Sequence, residues 1–329
     1  MEQPKVAFYT KQPEIEYVHA CIEELRASLE FEIINLGRDL SDQLAGVEMV
    51  IDIGGQAPKT LIDAATDARL WQVLGTGLDH CDVAHILSQG KELSHTPGFT
   101  SKYGLAECAM MFILMLTRRF HRAMECFEKR IFYEPNGLTV SGLTLGLIGF
   151  GASGRELAKR ARAFGMRIEA IDVRPLEEDF PEEQRPEFYG TPDDIDDLLG
   201  RCDFLSLHLH LTRETRHIID GRRLDLMKSS ACLINVARGE LVDEEALGAA
   251  LLEGTIAGAG LDVFSEEPAN PRRPEYHLLD VVVTPHVSGQ TDETVRQRCA
   301  IAVENARRLV MGGEVLYTVD ADQGLGKLD

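Results

Sequence analysis

The stretch that decides the fold is LTLGLIGFGASGRELAKRARAFGMRIEAID, residues 143–172. It opens with an apolar strand, LTLGLIG (143–149). It passes through Gly149-Phe150-Gly151-Ala152-Ser153-Gly154 and enters a helix over Arg155 to Phe164. A second strand, RIEAID (167–172), then ends on Asp172, twenty-three positions after Gly149. An isolated G-x-G-x-x-G is weak evidence, and a plain strand-turn-helix can carry one. Between a strand and a helix, with an acidic residue at this spacing, it points to a dinucleotide. Gly149, Gly151 and Gly154 permit the tight turn and bring backbone N–H groups to a pyrophosphate at the helix N-terminus. Asp172 accepts hydrogen bonds from ribose hydroxyls and repels a 2′-phosphate, which favours NAD over NADP. Arg174, two residues on, keeps NADP open, and a strand-end turn residue is the other reading of Asp172.

Outward from this unit the alternation continues. Strands are expected at 143–149, 167–172, 203–209, 231–237, 257–263 and 281–285, with helices at Asp193 to Leu199, Gly221 to Leu226 and Asp243 to Glu253. Six strands with crossovers match a Rossmann-type sheet. The first hundred residues form a second series, with strands at 5–10, 31–36, 47–52, 71–77 and 92–97 and a helix from Glu14 to Leu29. Strand and helix alternating at this spacing imply parallel sheets covered on both faces. One long helix, Ser101 to Glu128, is expected to cross between domains or to pack on a partner chain. The last helix, Thr291 to Met311, is too long for a crossover and returns to the first domain. The fold class is therefore α/β with a discontinuous smaller domain (1–98 and 290–329) and a dinucleotide-binding domain (99–289).

Composition sets limits. The chain has 329 residues, with 34 Lys plus Arg against 54 Asp plus Glu and a net charge of −20. That charge argues against sequence-independent nucleic-acid binding and against docking on anionic lipid. The longest apolar run, Ala109 to Leu116, is far short of the ~20 residues of a spanning helix. The start, MEQPKVAFYT, has no basic segment followed by an apolar one, so no export signal is expected. The seven cysteines at 21, 81, 108, 126, 202, 232 and 299 are odd in number and lack a C-x-x-C. They read as reduced thiols of a cytoplasmic protein.

Three side chains are expected just beyond strand ends on the sheet edge where open parallel sheets bind ligands. Arg238 follows LINVA, Glu267 follows GLDVF by three residues, and His286 follows VVVTP. Reduction of a 2-oxo acid needs a hydride and a proton on the developing alkoxide. His286 can supply and recover the proton. Glu267 can hold the imidazole. Arg238 can take the substrate carboxylate through two parallel hydrogen bonds and polarise the carbonyl. Singly each has a bland alternative: a salt bridge, an acidic turn, a structural histidine. Jointly, at one edge, they read as a catalytic set. Asp262 either contacts a nicotinamide amide or is a strand-end turn group.

With these residues in place the chain resembles the D-isomer-specific 2-hydroxyacid dehydrogenases, a family that includes phosphoglycerate dehydrogenase and glyoxylate/hydroxypyruvate reductase. The resemblance rests on 142–172, on INVARGELVDEEALGAALLEGTIAGAGLDVFSEEP, on TPHVSGQTDET, on GTGLDHCDV (75–83) and on HTPGFTSKYGLAE (95–107). It implies Arg238, Glu267 and His286 as the catalytic set. It also implies Ala152 and Ser153 amides at the pyrophosphate and Asp172 at the ribose. Further cofactor contacts are implied at Thr76, Leu209, Val236, Ala237, Asp262 and the turn from His286 to Gly289. Gly75, Thr76 and Gly77 are implied at the substrate carboxylate, in a flavodoxin-like substrate domain hinged to the NAD domain. The assembly implied is a homodimer, and no C-terminal regulatory domain is expected. The loop Ile53-Gly54-Gly55-Gln56 lacks the basic residue that phosphoglycerate-type members tend to place there, which leans away from a phosphorylated substrate; Lys59 lies close by.

His208 and His210 alternate, which permits a metal pair, but with no third ligand evident they read as cofactor wall or packing, and no metal is expected. The acidic run 193–197 fits a helix N-terminus. The leading function is hydride transfer between NAD(H) and a small D-2-hydroxy acid or 2-oxo acid. The competing functions are a non-catalytic NAD(H) sensor of the corepressor kind, phosphoglycerate dehydrogenase proper, and a formate- or phosphite-type dehydrogenase.

Overall fold

A computed structural model describes residues 3–319. The chain divides into two compact units, Met1–Thr100 with Gln290–Asp329, and Ser101–Gly289.

In the first unit, β1 (Val6–Tyr9), α1 (Glu16–Arg26), β2 (Phe31–Ile33), α2 (Leu40–Leu44), β3 (Met49–Ile53), α3 (Lys59–Ala64), β4 (Leu70–Leu74), α4 (Val83–Ser88) and β5 (Glu92–Ser94) follow in order. The strands form a parallel sheet, β2-β1-β3-β4-β5. Its central strands are buried along nearly their whole length and mostly apolar, Asp52 and Gln72 excepted, because both faces are covered.

The second unit opens with α5 (Lys102–Thr117) and α6 (Phe120–Glu128). The single long helix expected over 101–128 is broken here. Arg119 takes a left-handed backbone at φ 48°, and the Thr117 hydroxyl turns back onto the Ile113 carbonyl at 2.8 Å. The freed Thr117 carbonyl accepts the Leu138 N–H at 2.7 Å. Then come β6 (Thr144–Ile148), α7 (Ala152–Ala163), β7 (Arg167–Ile171), β8 (Phe188–Gly190), α8 (Ile195–Arg201), β9 (Phe204–Leu207), α9 (Gly221–Leu226), β10 (Cys232–Asn235), α10 (Glu244–Glu253), β11 (Gly258–Leu261) and β12 (Val281–Val283). The sheet has seven parallel strands, β12-β11-β10-β9-β6-β7-β8, where six were expected. The addition, β8, is a three-residue edge strand, too short for a periodic signal.

The final helix, α11 (Asp292–Met311), belongs to the first unit and packs on α1 through Cys21, Ile22, Leu25, Val295, Cys299 and Ala302. Its buried Asn305 amide donates to Gln72 Oε1 (2.7 Å), Ser94 Oγ (3.1 Å) and the Leu316 carbonyl (3.2 Å). Its oxygen accepts the Leu316 N–H at 2.8 Å. One side chain thus satisfies polar groups of β4, β5 and the returning chain. All cysteines but Cys108 are buried. Among the described residues no helix is long and apolar enough to cross a membrane.

Candidate active site

The glycine loop joins β6 to α7, and its close approaches explain its composition. A Cβ on Gly149, whose φ is +94°, would lie 2.4 Å from the His208 carbonyl oxygen. A Cβ on Gly154 would lie 2.4 Å from the Gly149 oxygen. α7 begins at Ala152 with Gly151 as an N-cap that offers no side-chain acceptor, so no side chain caps its first turn. Uncapped first-turn amides on a twelve-residue helix fit an anionic group such as a pyrophosphate.

Asp172 lies one residue past β7. Its Oδ2 accepts the Phe150 N–H at 2.8 Å and its Oδ1 the Arg174 N–H at 3.0 Å, with Arg174 Nε at 3.3 Å. Burial alone would raise this carboxyl. The two backbone donors and the Arg174 guanidinium overcome it and hold Asp172 below the usual carboxylate range. Arg174 is thus drawn onto Asp172 while its side chain stays 69% exposed.

His208 lies beyond the end of β9, so the expected alternation with His210 on one strand does not exist. Its Nδ1 meets Ser153 Oγ at 2.9 Å and its Nε2 meets Ser206 Oγ at 3.0 Å. Burial pushes its pKa down to about 4, which keeps the ring neutral. The imidazole therefore ties the glycine loop to β9. Among the described residues no group of three or more His, Cys, Asp or Glu side chains is placed to hold a metal ion.

Leu209, Val236, Ala237, Asp262 and His286 follow β9, β10, β11 and β12, which are neighbours in the sheet. With Gly149 after β6 they line one edge, and Gly289 closes the turn that starts at His286. Asp262 is fully buried and organises that turn. Its Oδ1 accepts the Thr284 hydroxyl (2.6 Å) and the Val287 N–H (2.8 Å), and its Oδ2 the Ser288 N–H (2.9 Å). Its carbonyl accepts the His286 N–H at 2.7 Å. His286 sits in the left-handed region at φ 55°, a conformation uncommon outside glycine that persists when surrounding contacts enforce it. These bonds match the turn-group reading of Asp262.

His286 Nδ1 lies 2.7 Å from Glu267 Oε2. The other carboxylate oxygen accepts the Phe264 N–H at 3.1 Å. Burial raises the Glu267 carboxyl. The His286 hydrogen bond and charge, the Phe264 N–H and the Arg238 charge together outweigh it, so Glu267 titrates below its ordinary range. Arg238 takes an extended backbone at φ −143°, its Nη1 donates to the Ala237 carbonyl at 2.8 Å, and its own carbonyl accepts from Asn235 Nδ2 at 2.8 Å. Gly239 comes next, where a Cβ would fall 1.9 Å from the Phe264 carbonyl carbon. That contact seats the Arg238 turn against the loop that carries Glu267.

In the first unit, Gly75, Thr76 and Gly77 follow β4. The Gly75 carbonyl accepts the Thr96 N–H at 3.1 Å, and the Thr76 carbonyl lies 3.1 Å from His95 Nδ1. The buried hydroxyl oxygens of Thr76 and Thr96 have no hydrogen-bond partner among the described residues. Lys59 sits 3.4 Å from Asp82. Asp52, at the base of the Ile53 to Gln56 loop, is pushed up to about 7 by burial, although Trp71, Ala57 and Gln56 donate to it. Nothing in the order of residues signals the Asn305 network or the Ser153–His208 bond, because each joins partners far apart in the chain.

The family model described as "D-isomer specific 2-hydroxyacid dehydrogenase, NAD binding domain" matches residues 110–288. A hydroxypyruvate reductase of Thermotoga maritima is 38% identical over 253 residues, covering 76% of this chain and 80% of its own. Among solved structures, an NADPH-dependent glyoxylate/hydroxypyruvate reductase of Sinorhizobium meliloti, in complex with NADP and malonate, superposes with a TM-score of 0.81 at 27% identity over 100% of both chains. A D-lactate dehydrogenase of Aquifex aeolicus, complexed with NAD and lactic acid, gives 0.78 at 27% identity, covering 94% of this chain and 96% of that one. The sheet order, the glycine loop and these likenesses agree: the chain belongs to the D-isomer specific 2-hydroxyacid dehydrogenase family.

Proposed function

We propose that Arg238, Glu267 and His286 carry out proton transfer and substrate binding in hydride exchange between NAD(H) and a small, unphosphorylated D-2-hydroxy acid or 2-oxo acid. The reaction class is that of the family: an oxidoreductase acting on the CH–OH group of 2-hydroxy acids. The observation that carries the residue assignment is the 2.7 Å pair between His286 Nδ1 and Glu267. Glu267 engages Nδ1, which assigns proton transfer to Nε2. In reduction Nε2 gives its proton to the developing alkoxide, and in oxidation it takes the hydroxyl proton back. Glu267 stabilises the imidazolium between those events. The planar fork of Arg238 binds the substrate carboxylate and draws charge from the carbonyl oxygen. In the first unit, the Gly75 to Gly77 loop keeps the substrate-binding role that the family resemblance implies. When bound, the nicotinamide supplies or accepts the hydride at its C4 position.

The uncapped first turn of α7, with Ala152 and Ser153, would hold the pyrophosphate, and Asp172 the adenosine ribose. NAD is favoured because the ionised Asp172 opposes a 2′-phosphate; relatives described with NAD and with NADP bracket the choice. Homodimer formation is supported by the α5–α6 surface. A groove of about 470 Å³ is lined by Met110, Met111, Leu114, Met115 and Phe120. Phe127, later on α6, and Phe132 and Tyr133, which follow that helix in the chain, are 70%, 68% and 100% exposed, an apolar display uncommon on a monomer.

The test is a panel of 2-oxo acids (glyoxylate, hydroxypyruvate, pyruvate and 3-phosphohydroxypyruvate) with NADH and NADPH in parallel, for the wild type and His286→Ala. NADH oxidation with an unphosphorylated acid is expected. His286→Ala should lower kcat by roughly 10²- to 10⁴-fold with NADH affinity retained. NADH binding without turnover on any acid would favour the sensor reading.

A further inference from the structure

The loop Phe264 to Glu267 presents a catalytic carboxylate, yet its own sequence, FSEE, is short, acidic and irregular. What fixes it comes from elsewhere. From the first turn of α10, Glu244 reaches across, and its Oε2 accepts the Ser265 N–H at 2.9 Å. Its Oε1 accepts a short hydrogen bond from the Tyr276 hydroxyl. The Tyr276 ring meets Phe264 edge-on at 5.4 Å and 68°. Arg273 donates to the Glu244 carbonyl at 3.4 Å and to Glu245 at 2.8 Å, and it also pairs with the buried Glu275. On the opposite side, Gly239 admits the Phe264 backbone at a distance no side chain would allow. The peptide immediately before Ser265 is therefore held by Glu244, and the Phe264 N–H from the same segment donates to Glu267.

We infer that Glu244 and Tyr276 form a clasp that positions Glu267 against His286. Neither touches substrate or cofactor in this assignment; they are positioning residues, and the inference rests on the functional reading above. The groups facing Glu267 are His286, from the turn after β12, and Arg238, from the turn after β10. Those facing Glu244 are Tyr276 and Arg273, with Ser265 donating, and Glu245 and Glu275 lie across Arg273. Burial raises the Glu244 carboxyl, and the hydrogen bonds from Tyr276 and Ser265 with the Arg273 charge bring it below its ordinary range. The clasp is thus ionised at neutral pH and holds its donors with full charge. Release of the clasp lets the loop drift, and Glu267 loses its contacts with His286 and the Phe264 N–H. A carboxyl held low by those contacts then titrates closer to its ordinary range. The acid limb of activity, set by protonation of Glu267, moves to higher pH.

The experiment measures kcat/KM against pH for the full-length protein with NADH and whichever 2-oxo acid the wild type reduces. Glu244→Ala and Tyr276→Phe are each expected to shift the acid limb upward by about 0.5 to 1 pH unit. Glu244→Ala should also lower kcat by roughly 10- to 100-fold. NADH affinity, read by fluorescence titration, should stay within about twofold, because neither residue borders the glycine loop. Glu244→Gln keeps an oxygen for the Ser265 N–H and should restore most of the lost kcat. An unmoved acid limb and unchanged kcat in both Glu244→Ala and Tyr276→Phe would overturn the clasp. If Glu244→Ala does not fold, Tyr276→Phe, which keeps the ring against Phe264, decides alone. Absence of turnover by the wild type on every acid overturns the underlying functional reading instead, and the clasp with it.

Discussion

Asp172 shows how much a single carboxylate can carry. It follows β7 directly, accepts two backbone N–H groups and holds Arg174 beside it. In the proposed ribose site its negative charge would oppose a 2′-phosphate, and Arg174 is the cation that would welcome one. We expect Asp172→Ala to release Arg174 and to shift the NADH/NADPH ratio of kcat/KM toward NADPH by tenfold or more, about 1.4 kcal/mol. An unaltered ratio would remove Asp172 from the ribose site. Its place was legible because strand, glycine loop and acidic residue have fixed spacing. His208 was legible only as a histidine near the edge. Its bond to Ser153 spans 55 positions, and no local pattern encodes such a partner.

At the scale of elements, the glycine loop is a packing solution before it is a binding site. Gly154 lets α7 start directly above the Gly149 carbonyl. Gly154→Ala should therefore push the helix start away from β6. We expect NADH affinity to fall at least tenfold and the melting temperature to drop by several degrees, read by fluorescence titration and circular dichroism. Normal affinity would mean that the loop tolerates a wider turn than its contacts imply. The alternating apolar segments gave the parallel strands readily. The edge strand β8 and the break between α5 and α6 were hidden. β8 has three residues and gains its pairing from β7, while the break depends on a backbone reversal at Arg119 and on the distant Leu138 N–H. The acidic run 193–197 read as a helix start. The run does stand there: Asp194 serves in a capping box with Thr191, and Asp196 and Asp197 lie in the first turn of α8, where Asp196 also bonds Arg222 and Arg223 of α9, which hold its pKa down at about 2.

For the whole molecule, the exposed aromatic face of the second unit bears on assembly. Light scattering coupled to size exclusion should report a particle of two chains. Phe127→Glu combined with Phe132→Glu should convert it to single chains by placing charge in an apolar contact. A monomeric wild type would contradict the homodimer, and an undisturbed dimer in the double variant would place the contact on another face. Taken by itself, the sequence determined the α/β class, the dinucleotide loop and the edge on which Arg238, Glu267 and His286 stand, because those follow from short-range periodicity and strand-end position. Only the tertiary structure decided which oxygen meets which donor: Asp262 beneath the His286 turn, Asn305 bridging two strands, Glu244 and Tyr276 on the Ser265 loop. Hydrogen bonds are satisfied within about 3 Å in space, and chain separation leaves no trace of them in the order of residues.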